Sequence, residues 1–430
     1  MKESGIDWIG QIPEEWEVKG IKHIFEEIGS GTTPKSDNET FYDGDINWIQ
    51  SGDLYQTDEV IKVSKTITYQ GFQSTSALKI YQQPFIALAM YGASVGNVAI
   101  SCIDACVNQA VVVMLGTSEK VRFGKYAIEA SKNNLIFSAQ GGTQPNISQN
   151  LIKNWNIPQP DSSEQTKIAD FLDKKTAQLD KVKALLEEQI QKLKDYRASL
   201  IYETVTKGLD KTVPMKDSGI NWIGEVPEGW GVKRLKYLVN KIGSGKTPLG
   251  GSEIFEETGI LFIRSQNVHN GLIQLEDKST YINRNIHRQM IGTSVEKNDI
   301  LLNITGASIG RVAKYDLDVE ANVNQHVCII RCDRFVLPDY LMYFIMSEFG
   351  QFMIKIHQIS GNREGLSFDN IGNFKIIIPD LDYQYKISQY LNKKMLIINQ
   401  MIKTKDQQIE NINKQRQTLI YDYVTGKRRV

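Results

Sequence analysis

The chain has 430 residues, enough to bury more than one core, and its 50 Lys and Arg balance 50 Asp and Glu to a formal net charge of zero. That balance argues weakly against a nucleic-acid partner and excludes a basic domain of the usual kind. Four cysteines are too few for a disulfide framework, no apolar run could span a bilayer, and the opening MKESGIDWIG is too polar for a secretory signal, so the expectation is a reducing cytoplasm.

In chain order, the first segment is one that returns. Ser4 to Pro34 comes back from Ser218 to Pro248 without a gap, with Trp8 and Trp222, Trp16 and Trp230, and Pro13 and Pro227 coinciding. A period of this length is no solenoid; it is a duplicated domain. The apolar runs Ile46–Ile49, Phe85–Ala89 and Val111–Leu115 predict strands, as do Ile260–Ile263, Ile300–Leu302 and Val327–Ile330. Short helices are predicted around Lys125–Ser131 and Pro338–Met346. The run Tyr91 to Ala99 matches Thr305 to Ala313, and Val107-Asn108-Gln109 matches Val323-Asn324-Gln325. Between these blocks the copies diverge, as in Gln140 to Ser148 against Ser360 to Ser367. One scaffold thus carries two different surfaces.

Each copy is predicted to end in a long helix. Asp161 and Glu164 form a capping pair, and Gly208 reads as the glycine that ends the first helix. The first apolar seam runs through Ile168, Leu172, Leu179, Val182, Leu186, Leu193, Tyr196 and Leu200, with Lys175 and Gln189 as interruptions. The second runs through Ile387, Leu391, Ile398, Met401, Ile412 and Leu419, interrupted by Lys394, Lys405, Gln408 and Gln415, with Ile402 and Ile409 as an extra stripe for a third partner. Seams of period 3.5 predict coiled-coil pairing, antiparallel if the copies are related by a two-fold. The predicted helix-pair interface is Leu172, Leu179, Leu186, Leu193, Leu391, Ile398, Met401 and Ile412. The fold expected is α+β: two homologous α/β domains, 1–160 and 218–381, joined by two long antiparallel coiled-coil helices in 161–208 and 382–430, with a linker at 209–217. Residues 383–430 hold 10 Lys and Arg against 3 Asp and Glu, so the basic excess lies at the C-terminal end.

Catalytic motifs are missing. Gly245-Lys246-Thr247 lacks the first P-loop glycine, with Asn240 in its place, and no Asn-Pro-Pro-Tyr type sequence occurs. Asp161 followed by Asp173-Lys174-Lys175 imitates a nuclease metal motif, but the second copy has Asn392 for Asp173, and a solvated charge pair fits better. Cys102 and Cys106, and Cys328 and Cys332, are four apart yet not repeat-equivalent, and read as free thiols rather than zinc ligands. No metal site and no catalytic residue are expected.

The opening SGIDWIGQIPEEW, the GSGTTP loop, GGTQPNIS before the first long helix and VTKGLD after it together resemble a type I restriction–modification specificity subunit. The resemblance spans both halves. It implies two target-recognition domains, each reading one half of a split double-stranded DNA site, with the helices acting as a ruler. It implies no catalysis and no cofactor on this chain: S-adenosylmethionine, ATP and Mg belong to partner subunits, namely two methylase subunits and restriction/translocase subunits. No membrane partner is implied. The divergent Gly-bounded loops are where specificity should lie, because amides and arginines pair bidentately with base edges. The candidates are Thr32, Lys35, Ser36, Tyr91, Ser94, Asn97, Gln140, Thr143, Gln144 and Asn146 in the first domain. In the second they are Lys246, Arg264, Gln266, Asn267, Ser308, Arg311, Asn362 and Arg363. Asn108-Gln109 and Asn324-Gln325, repeated in both copies, read as structural. Two alternatives remain open: a duplicated scaffold binding protein only, favoured by the neutral charge, and a two-domain nuclease or methyltransferase, disfavoured by the missing motifs.

Overall fold

The computed structural model describes residues 1–139, 146–248, 250–275, 279–359 and 365–430. The chain divides into two compact units, residues 1–186 with 406–430, and residues 187–405. The division falls inside both long helices, not at their ends.

The first unit contains β1 (Glu27–Ser30), β2 (Tyr42–Ile49), β3 (Glu59–Val60), β4 (Phe85–Ala89), β5 (Val98–Ser101), β6 (Cys106–Val107) and β7 (Val111–Leu115), then helix α1 (Ser118–Ser138). Its main sheet runs β1-β7-β4-β5-β3, while β2 pairs parallel with β6. The centre strands β4 and β7 are apolar almost throughout because both faces are covered. One face packs under α1, with Ile86, Leu88, Val112 and Met114 in a core shared with Phe123, Tyr126 and Ala127. Helix α1 is far longer than the predicted Lys125–Ser131, since its polar exposed face hid the rest of it from a reading of apolar residues.

The second unit repeats this plan with β8 (Val239–Ser244), β9 (Ile260–Ile263), β10 (Ile300–Asn303), β11 (Val312–Lys314), β12 (Ala321–Val323) and β13 (Val327–Cys332), followed by α3 (Pro338–Met346) and α4 (Glu348–Ile359). The order β8-β13-β10-β11 reproduces β1-β7-β4-β5. Register is reproduced as well. Val113 faces Gly29 and Ala87, and its counterpart Ile329 faces Gly243 and Leu301. A slip of one residue would turn every buried side chain to the other face, so the apolar runs fix both registers alike.

The long helices are Ser162–Lys207, here α2, and Leu381–Val424, here α5. Both start identically. Asp161 accepts from the Glu164 amide at 2.8 Å, and Asp380 accepts from the Tyr383 amide at 2.8 Å. Gln165 and Gln384 each turn back to donate to a proline carbonyl, at 2.8 and 2.9 Å. Helix α2 stops where Gly208 takes φ +77°, a conformation that only glycine enters freely.

Within each unit the parts of α2 and α5 it contains run antiparallel. In the first, Phe171 meets Tyr423 (ring centroids 4.4 Å apart) and Asp180 meets Arg416. In the second, Gln189 meets Lys405 and Arg197 meets Asn399. The predicted leucine columns are inward: Leu172, Leu391 and Ile398 are buried, and Leu179, Leu186, Leu193 and Ile412 are half-buried. The companion columns need correction by one residue. Thr176, Lys183, Ile190 and Arg197 take the inner positions on α2, while Val182 and Tyr196 are exposed. On α5, Met395, Ile402, Ile409 and Arg416 take them, and Met401, predicted inside, is 44% exposed. The stripe assigned to a third partner is therefore the inner column itself; Ile402 packs on the second unit's core.

All four cysteines are free; burial pushes the Cys106 and Cys328 thiols up to about 12. Among the described residues, no helix is long and apolar enough to cross a membrane.

Candidate nucleic-acid interface

The site is built twice from the same backbone contacts. After β1 the chain passes so close to β6 that a Cβ on Gly31 would stand 1.8 Å from the Val107 carbonyl oxygen. In the second copy a Cβ on Gly245 would stand 1.7 Å from that of Val323. Only glycine permits this approach, which explains the repeated last glycine of Gly-Ser-Gly. The approach brings Thr33 to Gln109, whose Oε1 accepts from the threonine hydroxyl at 2.6 Å, and Thr247 to Gln325 in the same way. The repeated Asn-Gln pairs are thus the brace of this loop.

A second pair of contacts anchors the divergent loops. The Met90 amide donates to Ala110 O at 2.8 Å, and Met90 O accepts from the Ile147 amide at 2.8 Å. Their counterparts are the Ile304 amide to His326 O and the Leu366 amide to Ile304 O, both 2.9 Å. Two loops that diverge in sequence therefore return to one backbone position. A third contact adds the loop after β2 or β9: the Asn108 amide donates to Ile49 O at 3.0 Å, and the Asn324 amide to Ile263 O at 3.1 Å.

The predicted residues divide on this frame. Thr32 (half-buried), Lys35 and Ser36 (exposed) lie on the braced loop, and Tyr91 and Asn146 flank the shared anchor. Burial pushes the Tyr91 phenol above its ordinary value. Lys246 and Gln266 are exposed and Arg264 half-buried on the equivalent loops of the second copy, with Arg264 one residue beyond the Ile263 anchor. Gln140, Thr143, Gln144, Asn362 and Arg363 lie outside the described residues.

Others are placed differently. Ser94 is buried under its own turn. Asn97 accepts from Lys132 on α1 at 2.6 Å, and burial lowers that lysine's pKa. Ser308 accepts from the buried Asn303 at 3.1 Å, which fixes the turn that carries the exposed Arg311. Asn267 is only 8% exposed; it accepts from the Arg264 amide at 2.9 Å and donates to Gln274 O at 3.0 Å. Its counterpart Asp53 accepts from the Gln50 amide in the same manner, at 2.8 Å. The structure therefore places Ser94 and Asn267 inside the frame and not on the exposed surface of the loops. Sequence reasoning did not single out Thr247 or His326, and it read Gln325 as structural. His326 stands where the first copy has Ala110, and a divergence beside a repeated dipeptide was the available signal.

The family model described as "Type I restriction modification DNA specificity domain" matches residues 13–194 and again 227–411. The chain belongs to that family. It is similar to the type I restriction enzyme MjaIX specificity subunit of Methanocaldococcus jannaschii, 25% identical over 98% of this chain and 95% of that protein. It is also similar to the type I restriction enzyme EcoBI specificity subunit of Escherichia coli, 25% identical over 87% and 79%. Its fold is shared with a chain solved for "complex assembly and conformational transition of the type I R-M system", TM-score 0.71 at 13% identity, covering 96% of this chain and 98% of that one. The family's two matches coincide with the two copies of the braced site.

Proposed function

We propose that this specificity chain reads a split double-stranded DNA site, one half with each copy of the braced loops. The observation that carries the proposal is the pair of equivalent anchors, Met90 with Ile147 and Ile304 with Leu366, holding unlike loops on like frames. A common frame with different tips is what reading two different half-sites by one mechanism requires. Helices α2 and α5 set the spacing between half-sites and dock two methylase subunits, while restriction/translocase subunits join for cleavage. The chain itself catalyses nothing. Methyl donor, ATP and Mg act on the partner subunits, in keeping with the missing methylation and P-loop motifs. The shared grip of those partners on DNA accommodates the zero net charge.

The test is a methylome of the host with and without the gene. A split-site methylation should vanish on deletion, and exchanging residues 18–158 for those of a relative should change one half-site only. Insertion of whole turns into both α2 and α5 should lengthen the spacer and leave the half-sites alone. Loss of no modified site, or a change of both half-sites by one exchange, would refute the reading.

A further inference from the structure

The two copies of the braced loop differ in one respect that bears on what each recognises. In the second copy the brace continues into a chain of four side chains: Thr247, Gln325, His326 and Thr305. In the first copy Ala110 and Tyr91 stand in place of His326 and Thr305, and the chain ends at Gln109.

The chemistry of the four groups gives the chain a direction. Gln325 Oε1 accepts from the Thr247 hydroxyl, so its Nε2 faces His326 Nε2, at 3.0 Å. An amide nitrogen can only donate. His326 Nε2 is therefore the acceptor, its proton sits on Nδ1, and Nδ1 donates to Thr305 Oγ1. With its oxygen so engaged, Thr305 has its hydroxyl hydrogen free to point away from the imidazole, and Gln325 has its second amide hydrogen likewise. Gln325 is exposed, and Thr305 and His326 are half-buried, beside the anchor of the divergent loop. The imidazole thus holds two outward donors in a fixed sense.

We propose that His326 is a positioning residue for specificity, one that orients Gln325 and Thr305 to read a base edge carrying acceptors in the second half-site. Guanine, with O6 and N7 in the major groove, is the base that offers two. The inference rests on the DNA-reading function proposed above. It goes further in assigning one position of one half-site to a named group.

The experiment compares methylomes of cells carrying the wild-type chain or a variant with its methylase partners. His326→Ala, which installs the first copy's residue, should relax one guanine position in the second unit's half-site by tenfold or more in relative methylation, leaving the other half-site unchanged. His326→Gln, which still offers an acceptor and a donor, should restore most of the discrimination. Thr305→Val keeps the shape, removes the outward hydroxyl and should relax the same position, so the idea stays testable if His326→Ala folds poorly. Unchanged specificity in Thr305→Val, or equal loss in His326→Gln and His326→Ala, would overturn the assignment. Failure of the DNA-reading function would look different: no split-site methylation would depend on the wild-type chain at all.

Discussion

Arg416 on α5 and Arg197 on α2 are repeat-equivalent, 219 residues apart, yet they sit in unlike surroundings. Arg416 is 15% exposed and meets Asp58 at 2.7 Å, Glu129, and Asp180 at 3.7 Å. Lys125, 2% exposed, joins the same cluster through Asp58 at 2.5 Å and Glu129 at 2.8 Å. Arg197 donates to Asn399 at 3.2 Å, and Asn399 is the equivalent of Asp180. Duplication has kept the arginine and changed its role. In the first unit it ties the helix pair to the recognition fold through charge; in the second it makes a neutral contact between helices. The cluster opens onto a groove of about 810 Å³ between the same elements, lined by Asn97, Lys132, Asp180 and Gln417 among others.

One of the two largest expected effects tests that contrast. Arg416→Ala leaves Asp58 and Glu129 with Lys125 as their remaining close partner, and since Asp58 is 42% exposed the loss falls at or below the low end of the buried-pair range, about 2–3 kcal/mol. Arg197→Ala removes one hydrogen bond to a neutral amide, about 1 kcal/mol. Denaturant melts of the two variants should show Arg416→Ala much the weaker. Equal midpoints would mean that the cluster adds no more than the single contact does.

Of similar size is the contrast between Ile398 and Leu186, both predicted at the helix interface. Ile398 is 3% exposed within the second unit's core, whereas Leu186 is half-buried beside a shallow groove with Val182 and Ile412. Ile398→Asp should cost roughly 3 kcal/mol and split-site methylation with it, since an unpaired carboxylate enters an apolar core. Leu186→Asp can turn its charge toward solvent and should cost roughly half as much by the same measure. Urea midpoints of both variants settle the order, and a reversed order would mean that the inner columns are misassigned.

These contrasts also show what the sequence could reveal. The duplication, the strand runs and the leucine columns were legible because burial repeats at fixed spacing, and the two sheets indeed share one register. The companion columns were not, because Thr176, Lys183, Arg197 and Arg416 are polar residues at inner positions. A reading by apolar period takes the neighbouring Val182 or Tyr196 instead, and on α5 it cannot choose between Met401 and the equally apolar Ile402. At the interface, the braced loops were legible from their glycines. The coupling of Thr33 to Gln109 was not, since the partners lie 76 residues apart and meet only through the sheet. Asn267 looked like a reader for a different reason: its partners are local, but residue type alone does not say that an amide is consumed by its own turn.

The smallest effect is the sharpest in sign. Burial pushes the Asp180 carboxyl above its ordinary value of 3.8, and Arg416, at 3.7 Å, does not fully offset it. A carboxyl whose folded pKa is raised loses stability for the protein as pH climbs through that value, because the unfolded chain releases the proton more easily. Below 3.8 both states hold the proton and the difference disappears. Asp180→Asn, which installs the second copy's residue, should therefore be slightly more stable than the wild type at neutral pH, even though it deletes a partner of Arg416. The side chain is 49% exposed, so solvent screening keeps the gain under about 1 kcal/mol. Paired thermal melts at pH 7 and at pH 3.5 would show the advantage present at the first and closed at the second. A variant less stable at pH 7 would mean that Asp180 is an essential member of the cluster, and that Asp58 and Glu129 alone do not hold Arg416.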